Sequence, residues 1–496
     1  MAFNTLIFLY LFLPFTLFFV YISSEKLKNP FLLLASWIFY AWGGVTYSAI
    51  LVCVTVVNYF IGRAMGPTTL KPWRKFWVVS GIIINLLPLI IYKYVPFFGD
   101  TISAIGTLFG ASPFVWKGMI LPLGISFYSF KSITYLVSVY RKEAEVQRNY
   151  IDLALYISIF PQVVAGPIDR YRNLLPQLHD RTTGFERFAS GIRRFTLGLA
   201  KKVIIANTLA LVADNVFNRP IENVDTPLAW LGAICYALQI YYDFAGYTDM
   251  AIGLGRMFGF DFMENFNFPY LSKSVKEFWQ RWHISLSTWL RDYLFLPVAY
   301  STSRKMPKER YLGIRSDKLI YLIATSLTFL VCGFWHGAAW NFVIWGLLHG
   351  FMLILEHFRF GKWLKRSAKP VQHLYMILFL LISWVFFRAA TLENAFQYIG
   401  VMVGGASQPA DLAEILEYFN PGFILTIVIA ILGSTRFFMI IVQGIEKAIE
   451  SRIMLLRGLS FHAFSLISLL GVVATFTLAT LYILSGTHMS FIYFKF

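Results

Sequence analysis

Apolar stretches close to the ~20 residues that a helix needs to cross the hydrocarbon core of a bilayer recur along almost the whole chain. About twelve runs approach that length. The first five are Leu6–Ile22, Phe31–Tyr47, Ser48–Ala64, Phe76–Tyr94 and Met119–Val139. Phe195–Phe217, Leu228–Ile252, Leu319–His336, Trp340–Phe358, Val371–Phe387, Gly422–Val442 and Ala463–Leu484 follow. In lipid every backbone N–H and C=O must be satisfied inside the chain, which leaves helices as the way for such runs to fold. With 57% hydrophobic and only 14% charged residues, the chain has too little charge to clothe a soluble domain. The expected fold is an all-α polytopic membrane protein. The first run has no basic start and no small-residue cleavage site, so it reads as a retained helix rather than a removed signal. No linker, repeat or low-complexity tract divides the chain, and one membrane domain over residues 1–496 is expected.

Ile151–Ile168 and Val275–Val298 are partly apolar but broken by Pro, Gly or charge, and are expected to be re-entrant or interfacial. Irregular backbone survives at that depth only inside protein or beside water. The formal net charge of +17 comes from short loops between the runs, not from one basic domain. The positive-inside rule explains this better than nucleic-acid binding does. Ser301–Lys318 and Arg359–Lys369 are accordingly expected in the cytoplasm, with the turn at His336–Trp340 outside. Counting crossings from there puts both termini outside. A basic inner face would also suit an anionic donor arriving from the cytoplasm.

Two histidines lie among these apolar segments, where an ionisable side chain is costly and usually has a task. His283 stands in RWHISLSTWLRDY (Arg281–Tyr293) and His336 in GFWHGAAW (Gly333–Trp340). Acyl transfer to a hydroxyl needs a group that removes the hydroxyl proton as oxygen attacks, and imidazole suits that role. His336 is the candidate base, with Gly333 and Gly337 expected to let a substrate approach the backbone. A histidine hydrogen-bonded at a helix end is the plainer alternative. Helical phasing would put Trp282 and Trp289 on one face and His283 one turn from Ser287. An interfacial helix anchored by tryptophans is the alternative there. Loop charges place His283 nearer the inner side and His336 nearer the outer one, so together they would mark two ends of a path across the membrane. His349, in GLLHG, is expected to pack or hydrogen-bond rather than to catalyse.

QIYYDFAGYTDMAIG (Gln239–Gly253) sets Asp243 and Asp249 in an apolar run, and buried carboxylates require partners. Arg281 or Arg291 are expected to supply them. FPQVVAGPIDRY (Phe160–Tyr171) has Pro and Gly where a spanning helix should be smooth. Cys53, Cys235 and Cys332 are far apart without CxxC spacing, and no HExxH motif is present, so neither disulfides nor a metal site are expected.

LPLGISFYSF (Leu121–Phe130), FPQVVAGPIDRY, QIYYDFAGYTDMAIGLG, MENFNFPY (Met263–Tyr270), FWQRWHISLSTWLRDYLF and GFWHG together resemble the membrane-bound O-acyltransferase (MBOAT) family. Within it they are most similar to the bacterial branch that acetylates exported polysaccharides, typified by the alginate O-acetyltransferase membrane subunit. The core motifs fall within residues 121–350. The resemblance implies a ring of helices around a thin central layer with a funnel on each side, in a bacterial inner membrane. It implies His336 as the family's essential histidine and His283 as the supporting one. It also implies a cytoplasmic thioester donor, acetyl-CoA or an acyl carrier protein, rather than a bound cofactor. The acceptor it implies is an extracytoplasmic polysaccharide reached through a hydrolase-like, SGNH-like transferase partner.

After the last run the chain ends THMSFIYFKF. An aromatic belt at the membrane surface is one reading. The ending also resembles the C-terminal motif of a small single-span protein of teichoic-acid D-alanylation systems, which implies Tyr493 as an acyl carrier within a segment spanning residues 463–496. A phenol is a poor nucleophile unless a base assists it, and His336 is the expected assistant. Three other functions stay open: D-alanyl transfer to teichoic acid, lipid O-acylation, and transport without covalent chemistry. Inverted repeats would favour the last, and none is found.

Overall fold

The computed structural model describes residues 1–114, 121–311, 313–450, 454–486 and 491–492. Among these the chain is almost wholly helical; the strands are one antiparallel pair, Arg310–Tyr311 with Ile314–Arg315, inside the basic Ser301–Lys318 loop. Among the described residues six helices are long and apolar enough to cross a membrane: Val45–Ala64, Lys71–Leu108, Phe185–Phe217, Ser316–His336, Lys369–Arg388 and Ser460–Leu484. The number rises to eight if each of two bent pairs forms one crossing.

The difference from about twelve expected runs has local causes. Trp340–His357 bends by 75° into Arg359–Arg366. The Gly422–Val442 run is interrupted, one helix stopping at Gly433 and the next starting at Phe437. At that break Ser434 Oγ donates to Ile431 O and Thr435 Oγ1 to Leu432 O, at 2.8 and 2.6 Å. Side-chain hydroxyls thereby take up carbonyls that the helix would otherwise use. The Thr226–Met257 helix is long enough but carries Gln239, Asp243, Asp249 and several tyrosines, which make it an interior helix rather than a lipid-facing one.

The chain divides into two compact units. The first comprises Met1–Phe195 and Tyr247–Met263. Within it Asn58 and Asn85 exchange reciprocal amide hydrogen bonds of 2.8 Å between neighbouring helices. Such polar pairs join helices where no hydrophobic effect against lipid can. The segment after the short Tyr150–Ser158 helix, Ile159–Asp169, is non-helical and buried throughout. Gly124, at φ 73°, lies so close that a Cβ there would stand 2.2 Å from Val163 O, so the LPLGIS turn and the FPQVVAGPI loop are packed backbone to backbone. Lys131 Nζ donates to Gln162 Oε1 at 2.7 Å, and Gln162 Nε2 donates to Asp169 Oδ2. The second carboxylate oxygen accepts from the Met263 N–H at 3.2 Å. A loop that would leave polar groups exposed to hydrocarbon is thus closed by a buried cation, amide and anion in series.

The second unit comprises Thr196–Gly246 and Glu264–Phe496. Its helices Ser316–His336 and Trp340–His357 form a tight antiparallel hairpin. A Cβ on Gly346 would stand 2.3 Å from Phe329 O, so small residues allow the two backbones to close on one another.

Removing one charge of a buried pair leaves the other uncompensated, at a cost of about 3–5 kcal/mol. Asp169→Leu and Lys131→Met should each lower the thermal midpoint of the detergent-solubilised protein, followed by circular dichroism. The double variant should recover a large part of either loss. Strictly additive losses would contradict the series described above.

Candidate functional site

His283 does not continue a helix. The helix Val275–Arg281 ends before it and Ile284–Leu290 begins after it, with His283 itself in the left-handed region at φ 42°. A non-glycine residue there is strained by about 1–3 kcal/mol and needs surrounding structure to hold it. That structure is the MENFNFPY segment. Ile284 N–H donates to Asn265 O at 3.0 Å, and Asn267 N–H to Arg281 O at 2.9 Å. Asn265 Oδ1 meets three groups: Ser285 N–H at 3.1 Å, Ser285 Oγ at 2.9 Å and His283 Nδ1 at 3.1 Å. Because Oδ1 accepts from a backbone N–H, His283 Nδ1 must carry the proton and Nε2 the lone pair. The ring is fully buried, with Phe244 edge-on at 4.7 Å. This burial, outside the spanning helices, pushes its pKa down to about 3. The start of the preceding helix is fixed by Glu356, whose carboxylate accepts from the N–H groups of Val275 and Lys276 at 2.7 and 3.1 Å. An anion at a helix N-terminus satisfies orphan donors and meets the positive end of the helix dipole.

His336 is the last residue of the Ser316–His336 helix and is 4% exposed. Three aromatic rings enclose it: Trp335 at 4.7 Å, Trp345 at 4.9 Å and Phe387 at 5.2 Å between centroids. The glycines beside it do not open the backbone to a substrate. A Cβ on Gly337 would fall 2.1 Å from the Phe342 ring, and one on Gly333 2.5 Å from Phe342 O. Both serve the helix hairpin.

The two histidines share a neighbour. Trp335, beside His336, has its ring 5.9 Å from that of His283. They therefore belong to one aromatic cluster and cannot mark opposite faces of a core ~30 Å thick. Trp345 continues the pattern, standing 4.7 Å from His349. His349 Nδ1 accepts from the Trp279 indole at 3.3 Å, which puts the His349 proton on Nε2, since indole only donates. Three imidazoles thus alternate with tryptophans, and the hydrogen-bonding place expected for His349 is the one it occupies.

Trp279 also forms part of the wall of a cleft of about 340 Å³. Ser287, Thr288, Thr325 and Thr328 bring hydroxyl groups to this cleft, and Lys276 and Arg291 bring positive charge. Apolar walls, hydroxyls and two cations suit an elongated ligand with an anionic end.

The intramembrane carboxylates find other partners than those expected. Asp243 is paired with Lys202, and Asp249 with Arg194 at 2.7 Å. Arg281 instead holds Glu277 at 3.0 Å and Arg291 holds Asp292 at 2.8 Å. Pairs four residues and one residue apart could form without any tertiary structure, whereas Lys202 and Asp243 are 41 residues apart. Tyr493 lies outside the described residues. Phe491 and Ile492 just before it are 1% and 6% exposed, so they sit inside protein and not in a surface belt. Asn265 is not legible from sequence, although its MENFNFPY segment is; an amide directly after a glutamate carries no signal of its own.

The geometry makes His283 neutral with its proton on Nδ1, and His349 protonated on Nε2. ¹⁵N NMR of histidine-labelled protein should find these two tautomers, with His283 untitrated from pH 8 down to about 5. Asn265→Ala should erase the His283 preference. A His283 signal that titrates near 6.5 in the parent protein would contradict this arrangement.

The family model for MBOAT, the membrane-bound O-acyltransferase family, matches residues 4–392. The chain is 40% identical to a probable alginate O-acetylase, AlgI, of Azotobacter vinelandii, over 90% of this chain and 88% of that protein. It is 34% identical to a peptidoglycan O-acetyltransferase of Helicobacter pylori, over 85% and 83% of the two chains. A teichoic acid D-alanyltransferase of Bacillus subtilis is 31% identical over 63% of this chain and 75% of its own. With a family model matched over most of its length and both histidine motifs inside the match, the chain belongs to the membrane-bound O-acyltransferase family.

Proposed function

We propose that this enzyme transfers an acyl group, most simply acetyl, from a thioester on the cytoplasmic side to an extracytoplasmic polysaccharide, from within a bacterial inner membrane. The observation that carries the reading is the burial of His336 between Trp335, Trp345 and Phe387, with the oriented, neutral His283 on the far side of Trp335. A hydroxyl attacks the thioester carbonyl as His336 takes its proton. The new C–O bond forms, the C–S bond breaks, and the proton passes to the departing thiolate. Acyl transfer needs that imidazole neutral at the moment of attack. An apolar, aromatic enclosure keeps water from hydrolysing the thioester.

His283 orients the donor. Its support is the Asn265 hydrogen bond, which fixes one ring nitrogen and leaves the other able to accept. The cleft bordered by Trp279, Lys276 and Arg291 is the donor's approach, because coenzyme A and a carrier-protein arm both end in phosphate-bearing, anionic groups. The attacking hydroxyl in this reading is that of Tyr493. It takes the acyl group as an ester and passes it to a hydroxyl of an SGNH-like transferase outside the membrane, which acylates the polymer. The relatives' names, alginate O-acetylase and peptidoglycan O-acetyltransferase, support acetyl as the group and polysaccharide as the acceptor class.

D-alanyl transfer is a second reading, favoured by the similarity to a teichoic acid D-alanyltransferase. Mass spectrometry of the C-terminal peptide after incubation with each thioester separates the two by the mass added.

His336→Ala should lower acyl transfer by about 10²–10⁴-fold while the protein stays monodisperse; near-normal transfer would remove His336 from the chemistry. Tyr493→Phe keeps the ring and removes only the hydroxyl. It should abolish both the acyl mass on the C-terminal peptide and acylation of the polymer, and full acylation in that variant would rule out the carrier.

A further inference from the structure

Asp243 lies in the middle of the Thr226–Met257 helix and is 1% exposed. One of its oxygens, Oδ1, takes the ammonium of Lys202, itself 2% exposed. The other, Oδ2, accepts from the backbone N–H of Ile492 at 2.8 Å. The Lys202 ammonium also stands 4.7 Å from the centre of the Phe491 ring. A buried ion pair thus ends on the chain's own C-terminal segment, eight residues beyond Leu484, where the last described helix stops.

Both halves of this contact are of a kind suited to recognition. A buried backbone N–H must find an acceptor, and a carboxylate is the strongest one a protein offers. That bond recognises the main chain whatever its side chains. The cation over the Phe491 face adds selectivity for an aromatic residue at that place. Lys202 lies in a π-helical turn, Lys201–Ala206, a geometry found often at functional sites. Across from it a Cβ on Gly246 would come within 3.1 Å of Lys202 N, so the turn is held close to the helix that carries Asp243.

We propose that Lys202 and Asp243 form an internal receptor for the C-terminal peptide and act as positioning residues for the residue that follows, Tyr493. The docking itself stands on the contacts of Phe491 and Ile492, while its use in catalysis rests on the carrier role given above to Tyr493. A docked chain end brings the next side chain to a fixed place, and reactions between held groups gain greatly over encounters in solution.

The test is hydrogen exchange by mass spectrometry on the full-length protein in detergent, read at the peptide containing Ile492, alongside the acyl mass on that peptide. The Ile492 amide should exchange at least about 100-fold more slowly than an unstructured amide. Phe491→Ala leaves the buried ion pair whole and should reduce that protection by about tenfold. The charge-neutral double variant Lys202→Met with Asp243→Leu avoids a lone buried charge and should remove the protection entirely, with exchange elsewhere unchanged. Acyl mass on the peptide should fall in parallel. An unprotected Ile492 in the parent protein, or full protection in the double variant, would overturn the receptor. If Ile492 protection follows the variants but no acyl mass ever forms on the peptide, the receptor stands and the tyrosine carrier fails. Tyr493→Phe should keep Ile492 protected, which separates loss of the hydroxyl from loss of docking.

Discussion

A polar group inside this protein cannot borrow a partner from water, and the placement of nearly every element around the site follows from that constraint. Asn265 is the clearest case. Its one carbonyl oxygen gathers a backbone N–H, a hydroxyl and an imidazole, and so holds a strained residue, His283, in a single tautomer. Glu356 does the same for the start of the helix before it, taking two backbone N–H groups that no helix can satisfy by itself. Lys131, Gln162 and Asp169 close a buried loop. Asp243 and Lys202 reach the C-terminal segment. Each of these groups would be destabilising alone; each is instead a fixed joint between segments distant in sequence.

The same scarcity of water shapes the chemistry. Burial holds the His283 imidazole neutral, and the rings around His336 keep bulk water away from that second imidazole. The alternation of His283, Trp335, His336, Trp345 and His349 makes one connected aromatic body. Rings packed in this way resist displacement, which keeps a reacting group in place to within the tolerance that acyl transfer demands. A cleft with hydroxyl and cationic groups shares Trp279 with that body, so the proposed approach of the donor adjoins the proposed place of transfer.

Much of this could be read from the chain without coordinates, and the divide between what could and what could not is physical. Membrane class and the long spans follow from run length, and both histidines stand out because ionisable groups are rare among apolar residues. Gly333 and Gly337 were legible as places without a Cβ, but whether a substrate or Phe342 fills the space depends on how the hairpin closes. Helical phasing ran straight through His283 from Trp282 to Trp289, because a left-handed residue held by a remote asparagine leaves no periodic trace. Partner choice was the least legible of all. Arg281 and Arg291 are near-sequence neighbours of acids that they actually hold, and only the folded chain reveals that Asp243 belongs to Lys202 and Asp249 to Arg194.

The central claim is that His336, inside this aromatic cluster, is where the thioester reacts. A cryo-electron microscopy structure of the protein bound to a thioether analogue of acetyl-CoA, which cannot transfer its acyl group, tests it most directly. The account predicts the analogue's reactive carbon lodged so that an attacking hydroxyl oxygen fits between it and the His336 imidazole, within hydrogen-bonding reach of about 3 Å of a ring nitrogen, with the anionic end toward Lys276 and Arg291. An analogue bound with that carbon away from His336 and from the Trp335 ring would contradict it.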